Sequence, residues 1–207
     1  MIKYDVIIIG AGCSGLSLAY RLLNTNKKVC VIEKFSKNKR VPKTWSYWNV
    51  CEHPFRNLEM NRLSELFVRN DSMVKINCAN NTYNSIDSLD FDKYIFDKIS
   101  DSENIDILFD TNITNLEHTG ADIRIDTEDN VFRTTYVFDS RPHKQEYSMY
   151  QVFLGYKISK NNKDIPAILM DFQKSDDFNF VYVVPFSNDM ILFETTYFTS
   201  NRYKADE

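Results

Sequence analysis

The first 33 residues constrain the fold most, because they run strand, glycine-rich turn, helix, strand and acid without a break. Asp5-Val6-Ile7-Ile8-Ile9 is a short β-branched run that reads as a buried strand. Gly10-Ala11-Gly12-Cys13-Ser14-Gly15 follows at once and fits G-x-G-x-x-G. Leu16, Ala19, Leu22 and Leu23 fall at helical spacing, Val29-Cys30-Val31-Ile32 forms the next strand, and Glu33 closes it. Gly10 permits the tight turn, Gly12 lets the backbone approach a pyrophosphate, and Gly15 lets helix and strand pack closely. The helix start offers unpaired N–H groups and the positive end of its dipole, and Glu33 offers a carboxylate to a ribose hydroxyl. In that context the motif predicts a dinucleotide site. An acid at the end of the second strand favours a free 2′-hydroxyl, so FAD or NAD over NADP, although Lys34, Lys37, Lys39 and Arg40 stand close by.

Composition removes several classes of function. A net charge of −4 leaves no electrostatic footprint for nucleic acid, and the basic stretch Lys34–Lys43 reads as a solvated loop. Cys13, Cys30, Cys51 and Cys78 show no C-x-x-C pairing, and His53, His118 and His143 are scattered. Neither a disulfide framework nor a metal site is expected, and reduced thiols fit a cytoplasmic compartment. No apolar run reaches bilayer length, and the N-terminal apolar stretch is a strand broken by glycines rather than a signal peptide. The 207 residues suffice for one large domain or two small ones.

Further along, Thr44-Trp45-Ser46-Tyr47-Trp48 suits a pocket wall or a core plug. Residues 57–67 look helical or irregular, and Val74–Cys78 with Asn81–Ile86 suggest a hairpin around Asn80-Asn81. Ser88 caps a helix carrying Leu89, Tyr94, Ile95 and Ile99. Ile105–Phe109 is strand-like, and Asn112–Glu117, Asp122–Asp126 and Val131–Phe138 alternate like an antiparallel meander ending at Asp139-Ser140-Arg141-Pro142. In flavin proteins of the glutathione-reductase type the strand after such a meander returns the chain to the dinucleotide, which makes Arg141 a candidate phosphate contact. The expected fold is therefore α/β: an FAD-binding Rossmann-like three-layer domain of glutathione-reductase type over 1–150, then the start of an antiparallel β substrate sheet over 151–207. Phe178–Phe186 and Met190–Phe198 give the clearest hairpin, turning at Ser187-Asn188-Asp189.

Several stretches together resemble the flavin-dependent lycopene cyclases of bacterial carotenoid synthesis. They are Asp5–Gly15 with Glu33, Thr44-Trp45-Ser46, Phe138–Arg141, Gln151–Gly155, Ile168–Asp171, Phe180–Ser187 and Ile191–Thr196, in family order across nearly the whole chain. The resemblance implies a lycopene β-cyclase: non-redox closure of the ψ ends of lycopene to β-ionone rings, giving β-carotene through γ-carotene, with reduced FAD as cofactor. NAD(P)H enters as a candidate reductant. It also implies lycopene or a related acyclic carotenoid as partner, peripheral contact with the inner membrane, and a longer protein whose C-terminal part completes the flavin site. Glu194 occupies the place of the family's essential acid, with Thr195 where a second acid stands. Asp171 is a second candidate acid. The candidate cofactor contacts are Gly10, Gly12, Cys13, Ser14, Gly15, Glu33, Lys34 and Arg141. In a strand, Leu192, Glu194, Thr196 and Phe198 share one face, so an apolar setting is expected to raise the carboxyl's pKa. The alternatives are another FAD-dependent oxidoreductase of the same fold, a hydroxylase or prenyl reductase, and an inactive flavin-binding fragment.

Overall fold

The structure, a computed structural model, describes residues 1–141, 147–159, 165–174, 178–187 and 189–200. Pro142, His143, Asn188 and residues 201–207, which carry parts of the reading above, lie outside them. In chain order the elements begin β1 (Ile2–Ile9), α1 (Cys13–Leu22), β2 (Val29–Ile32), β3 (Thr44–Trp48), β4 (Glu59–Leu63) and β5 (Glu65–Arg69). There follow β6 (Met73–Asn77), β7 (Tyr83–Asp87), α2 (Ser88–Ser100), β8 (Ile105–Leu108), β9 (Ile113–Thr119) and β10 (Asp122–Thr127). The last are β11 (Val131–Asp139), β12 (Tyr150–Ser159), β13 (Ile168–Phe172), β14 (Asn179–Pro185) and β15 (Met190–Thr199).

Two compact units result, Met1–Lys43 with Ser88–Lys144, and Thr44–Asp87 with Gln145–Glu207. The division is discontinuous: Thr44–Asp87 groups with the second unit, where the consecutive boundary expected at 150/151 had put it with the first.

The first unit holds one six-stranded sheet in the order β8-β2-β1-β11-β10-β9. β1 lies between two parallel neighbours, β2 and β11. Val6–Ile9 are therefore buried on both faces, which is why they read as an unbroken β-branched run. Ile7, Ile9, Cys30, Ile32, Ile125 and Phe132 form one core cluster. α1 buries Gly15, Leu16 and Ala19, and α2 buries Phe91, Ile95 and Ile99 at the spacing of a single helical face.

This topology corrects the expected three-layer domain of glutathione-reductase type. The meander is not a separate layer. β11 is nine residues long and bonds parallel to β1 over Ile2–Ile9 while its first half bonds antiparallel to β10. One strand thus carries both partners, so β10 and β9 extend the parallel sheet sideways. Among the described residues there are two α-helices against fifteen strands, and the chain is dominated by mixed and antiparallel sheet.

The second unit contains a six-stranded sheet ordered β12-β15-β14-β13-β5-β6 and a three-stranded sheet ordered β3-β7-β4. Residues 57–67 supply β4 and most of β5, not a helix, because pairing with β7 and with β13 and β6 overrides their weak strand propensity. Leu66 is fully buried there. The hairpin expected around Asn80-Asn81 does not form. The chain does reverse there, but the Cys78 amide bonds to the Ser64 carbonyl (2.8 Å) while the Asn49 amide bonds to that of Thr82 (2.8 Å). The two flanking strands are thereby drawn into different sheets. The hairpin expected between β14 and β15 does form, antiparallel over Asn179–Pro185.

Candidate functional site

In the first unit the glycine loop is held by backbone before any side chain acts. The Gly10 amide donates to the Ile32 carbonyl (2.8 Å), fixing the loop over the end of β2. Gly10 has φ +97°, a conformation glycine takes without strain. A Cβ at Gly15 would stand 2.0 Å from the Gly10 carbonyl oxygen, so only glycine lets α1 seat against the loop. Around Gly12 nothing lies within 4 Å of a Cβ position, leaving room for a ligand to reach the backbone. The start of α1 has no side-chain cap and no acid in its first turn, so its leading amides are available to an anion. Glu33 accepts from the Ala11 amide (2.7 Å) and the Phe35 amide (2.9 Å). A carboxylate offers about four lone-pair sites, so these two bonds orient Glu33 and still leave capacity for a ribose. The donors, open space and acid together fit an adenosine diphosphate group.

Arg40 joins this site, although along the chain it is only one basic residue in a basic stretch. Its Nη2 donates to the Ala11 carbonyl (2.6 Å) and to Asp92 Oδ1 (2.9 Å), while Nε donates to Asp92 Oδ2. Asp92 lies on α2, so one guanidinium ties the loop to both helices' layer. Arg40→Gln should lower unfolding stability by about 3 kcal/mol, since a mostly buried carboxylate loses its cation. Arg40→Lys should recover only part of this, lacking the fork. Denaturant midpoints of the three proteins check it; equal midpoints would refute the bracing role.

The remaining first-unit candidates are placed differently. Ser14 is exposed in the first turn of α1. Cys13 is also on the surface there, its thiol pushed up chiefly by desolvation, with a Ser17 hydrogen bond pulling it back. Lys34 is exposed, with its ammonium 5.9 Å from the Phe35 ring centroid. Arg141 forks onto Asp139, with Nη2 at 2.6 Å and Nε at 2.9 Å. Its neighbour Ser140 is the residue that meets the loop: its Oγ donates to the Ile9 carbonyl at 2.7 Å, and a Cβ on Gly10 would stand 2.4 Å from the Ser140 Oγ.

In the second unit Glu194 sits mid-strand on β15, opposite Gly155 of β12 and Tyr182 of β14. It is half-buried, and desolvation raises its pKa while a Thr196 hydroxyl (3.3 Å) opposes that. Asp171 does not join it. Asp171 pairs in register with Val181 and Glu194 with Tyr182, and adjacent residues of β14 face opposite sides. The two carboxylates thus leave opposite faces of the sheet. Asp171 is gripped by Arg69 across the β13–β5 pair, Nε on Oδ1 at 2.7 Å and Nη2 on the other oxygen. A cavity of 540 Å³ bounded by Trp48, Val50 and residues 77–81 contains none of these acids. Among the described residues no three His, Cys, Asp or Glu side chains gather as a metal site, and no helix is long and apolar enough to cross a membrane.

Loop, acid and mixed sheet define the fold of the FAD-binding flavoproteins. The chain belongs to the lycopene cyclase protein family, whose model matches residues 5–206. No curated protein matches the sequence. Among solved structures it is similar to PqsL, a probable FAD-dependent monooxygenase from Pseudomonas aeruginosa, with TM-score 0.69 and 15% identity over 94% of this chain and 60% of that one. It is similar to the p-nitrophenol 4-monooxygenase PnpA from Pseudomonas putida DLL-E4, with TM-score 0.76 and 12% identity over 100% of this chain and 60% of that one. It is also similar to CtdE in complex with FAD, with TM-score 0.70 and 14% identity over 99% of this chain and 61% of that one. The chain thus spans about three fifths of the length of these structures. They correct the expectation of a non-redox lycopene β-cyclase: the named structures that share this fold over nearly the whole chain include monooxygenases and no cyclase.

Proposed function

We propose that the chain is the FAD-binding part of a flavin-dependent oxidoreductase, with hydroxylation of an apolar organic substrate as its reaction class. The observation that carries the reading is the glycine loop, where Gly15 seats α1 against Gly10 and Gly12 leaves the backbone open. Gly10, Gly12, Gly15 and the leading amides of α1 hold the pyrophosphate, Glu33 takes the adenosine ribose, and Arg40 braces the loop from behind. When bound, FAD supplies two-electron redox chemistry that no side chain of this chain offers. The second unit contributes an apolar sheet face for the substrate, on which Glu194 keeps its proton over more of the pH range than a free glutamate. The oxidoreductase fold of the similar structures supports the same class.

Titration with FAD and FMN tests the cofactor. FAD should bind and FMN should not, because FMN lacks the adenosine half that the loop and Glu33 recognise; equal binding of FMN would overturn the reading. NAD(P)H oxidation followed with an oxygen electrode tests the reaction. Hydroxylation consumes oxygen together with NAD(P)H, whereas NAD(P)H oxidation coupled to substrate with no oxygen uptake would replace hydroxylation by reduction.

A further inference from the structure

The 540 Å³ cavity of the second unit lies where β6 leaves one sheet and the chain crosses to β7 in the other. Its volume falls in the range of small-molecule sites, about 300–1,000 Å³. Trp48, the last residue of β3, and Val50 supply part of the lining. Asn77, the last residue of β6, and the turn through Cys78, Asn80 and Asn81 supply the rest. Backbone bonds hold these segments in place: the Cys78 amide donates to the Ser64 carbonyl (2.8 Å), the Asn81 amide to the Cys78 carbonyl (3.0 Å) and the Asn49 amide to the Thr82 carbonyl (2.8 Å). A lining fixed in this way spares a ligand much of the ordering cost of binding.

The side chains set the chemistry of that ligand. The Trp48 indole is 41% exposed and braced on Tyr83, with ring centroids 4.9 Å apart. Asn77 Oδ1 accepts from the Ala79 amide (3.1 Å), which orients the carboxamide and leaves its NH₂ to donate. The Asn80 and Asn81 carboxamides have no partner among the described residues, so each offers two N–H donors and a carbonyl acceptor. No lining residue is charged. An ion would lose hydration there without a counter-charge, and a pure hydrocarbon would cover three carboxamides and leave them unbonded. A planar heterocycle gains most between two parallel rings, but Tyr83 stands at 60° to the indole and no second aromatic lines the cavity. A sugar ring meets both demands: its hydroxyls donate and accept as carboxamides do, and its C–H face lies flat on one indole.

We infer that the cavity binds an uncharged sugar ring, stacked on Trp48 and hydrogen-bonded through its hydroxyls to Asn77, Asn80 and Asn81. The site goes beyond the proposed flavin function and does not depend on it. All of its residues lie within Thr44–Asp87 of the second unit, away from the glycine loop along the chain.

Titration of the whole ¹⁵N-labelled chain with glucose, galactose and mannose, followed by NMR, tests it without any variant having to fold. At least one of the three should shift the Trp48 indole N–H signal together with the side-chain NH₂ signals of Asn77, Asn80 and Asn81, and leave the indole signal of Trp45, the other tryptophan, in place. No shift with any of the three sugars, or shifts that miss these four residues, would overturn the inference. Glucosamine and glucuronate probe charge, and nicotinamide probes a planar heterocycle. Tighter binding of either charged sugar than of the best neutral one refutes an uncharged ligand, and tighter binding of nicotinamide refutes a sugar. Trp48→Ala should weaken the best sugar about tenfold, the loss of an aromatic anchor, and Trp48→Phe less, because it keeps a ring. Asn80→Ala, on the exposed turn, should weaken it about threefold through one lost hydrogen bond. Unchanged affinity in a folded Trp48→Ala or Asn80→Ala protein would remove the site.

Discussion

Gly15→Ala is expected to destabilise the first unit by about 3 kcal/mol, the upper end of the cost of overpacking, and to abolish FAD binding with it. The added methyl would stand 2.0 Å from the Gly10 carbonyl oxygen and 3.2 Å from Ile8 Cγ2. The first of these is backbone, so no rotamer change relieves the clash. Either α1 lifts from the sheet or the turn at Gly10 moves, and Gly10 is already fixed by its bond to Ile32 and its positive φ. Gly12→Ala makes the contrast. Nothing lies within 4 Å of that Cβ position, and φ −80°, ψ −173° is ordinary extended backbone. Its stability should therefore stay within about 0.5 kcal/mol of the parent, as for a surface substitution, while FAD binding still falls because the methyl occupies the approach to the backbone. Denaturant unfolding and FAD titration on both variants separate the two roles. A stable Gly15→Ala protein, or full flavin affinity in Gly12→Ala, would contradict this division between packing and approach.

The same loop shows what a sequence can disclose. β1, the turn, α1, β2 and Glu33 are contiguous, and their geometry follows from local rules of burial, glycine freedom and helix dipoles, so they were legible residue by residue. Arg40 and Asp92 were not, because 51 residues separate them and only the folded sheet brings α2 beside the loop. The meander was readable as three strands, yet β11's double pairing, which turns a supposed third layer into a sheet extension, is a long-range fact. The stretch 57–67 misled for a related reason: Glu59–Leu63 is a strand because β7 needs a partner, not because of its own composition. Glu194 and Asp171 were both visible as acids among apolar residues. That they leave opposite faces depends on the register of β14 against both neighbours, which no pattern within either strand encodes.

Glu59 and Glu194 should give the second unit two opposite dependences on pH. The Glu59 side chain is 1% exposed, and its Oε1 accepts from the Tyr47 hydroxyl (2.9 Å) and the Asn84 amide (2.8 Å), while Arg62 Nε donates to the other oxygen. The His53 ring adds a contact: the Phe55 amide donates to Nδ1 (3.2 Å), leaving Nε2 to face Glu59 at 3.2 Å. Burial alone would favour the protonated acid, but the bonds from Tyr47, Asn84 and Arg62 outweigh it and hold the pKa below the usual carboxylate value. A lowered pKa contributes stability that is present above the unfolded value, about 4.3, and is lost as pH falls through the folded one. Glu59→Ala should therefore cost about 2–4 kcal/mol at neutral pH, since buried donors on Tyr47 and Asn84 lose their acceptor, and Glu59→Gln about half of that, with the Gln deficit shrinking in acid. Glu194 has the reverse sign. Its pKa is raised by burial, so its contribution is full below the usual carboxylate value and is lost as pH rises through the folded one. Glu194→Gln should gain on the parent as pH climbs to neutrality. Unfolding free energies of both variants across a pH series from neutrality to well below the ordinary carboxylate value of about 4.3 decide the matter: parallel pH profiles would show that one of the two carboxyls is not in the setting described.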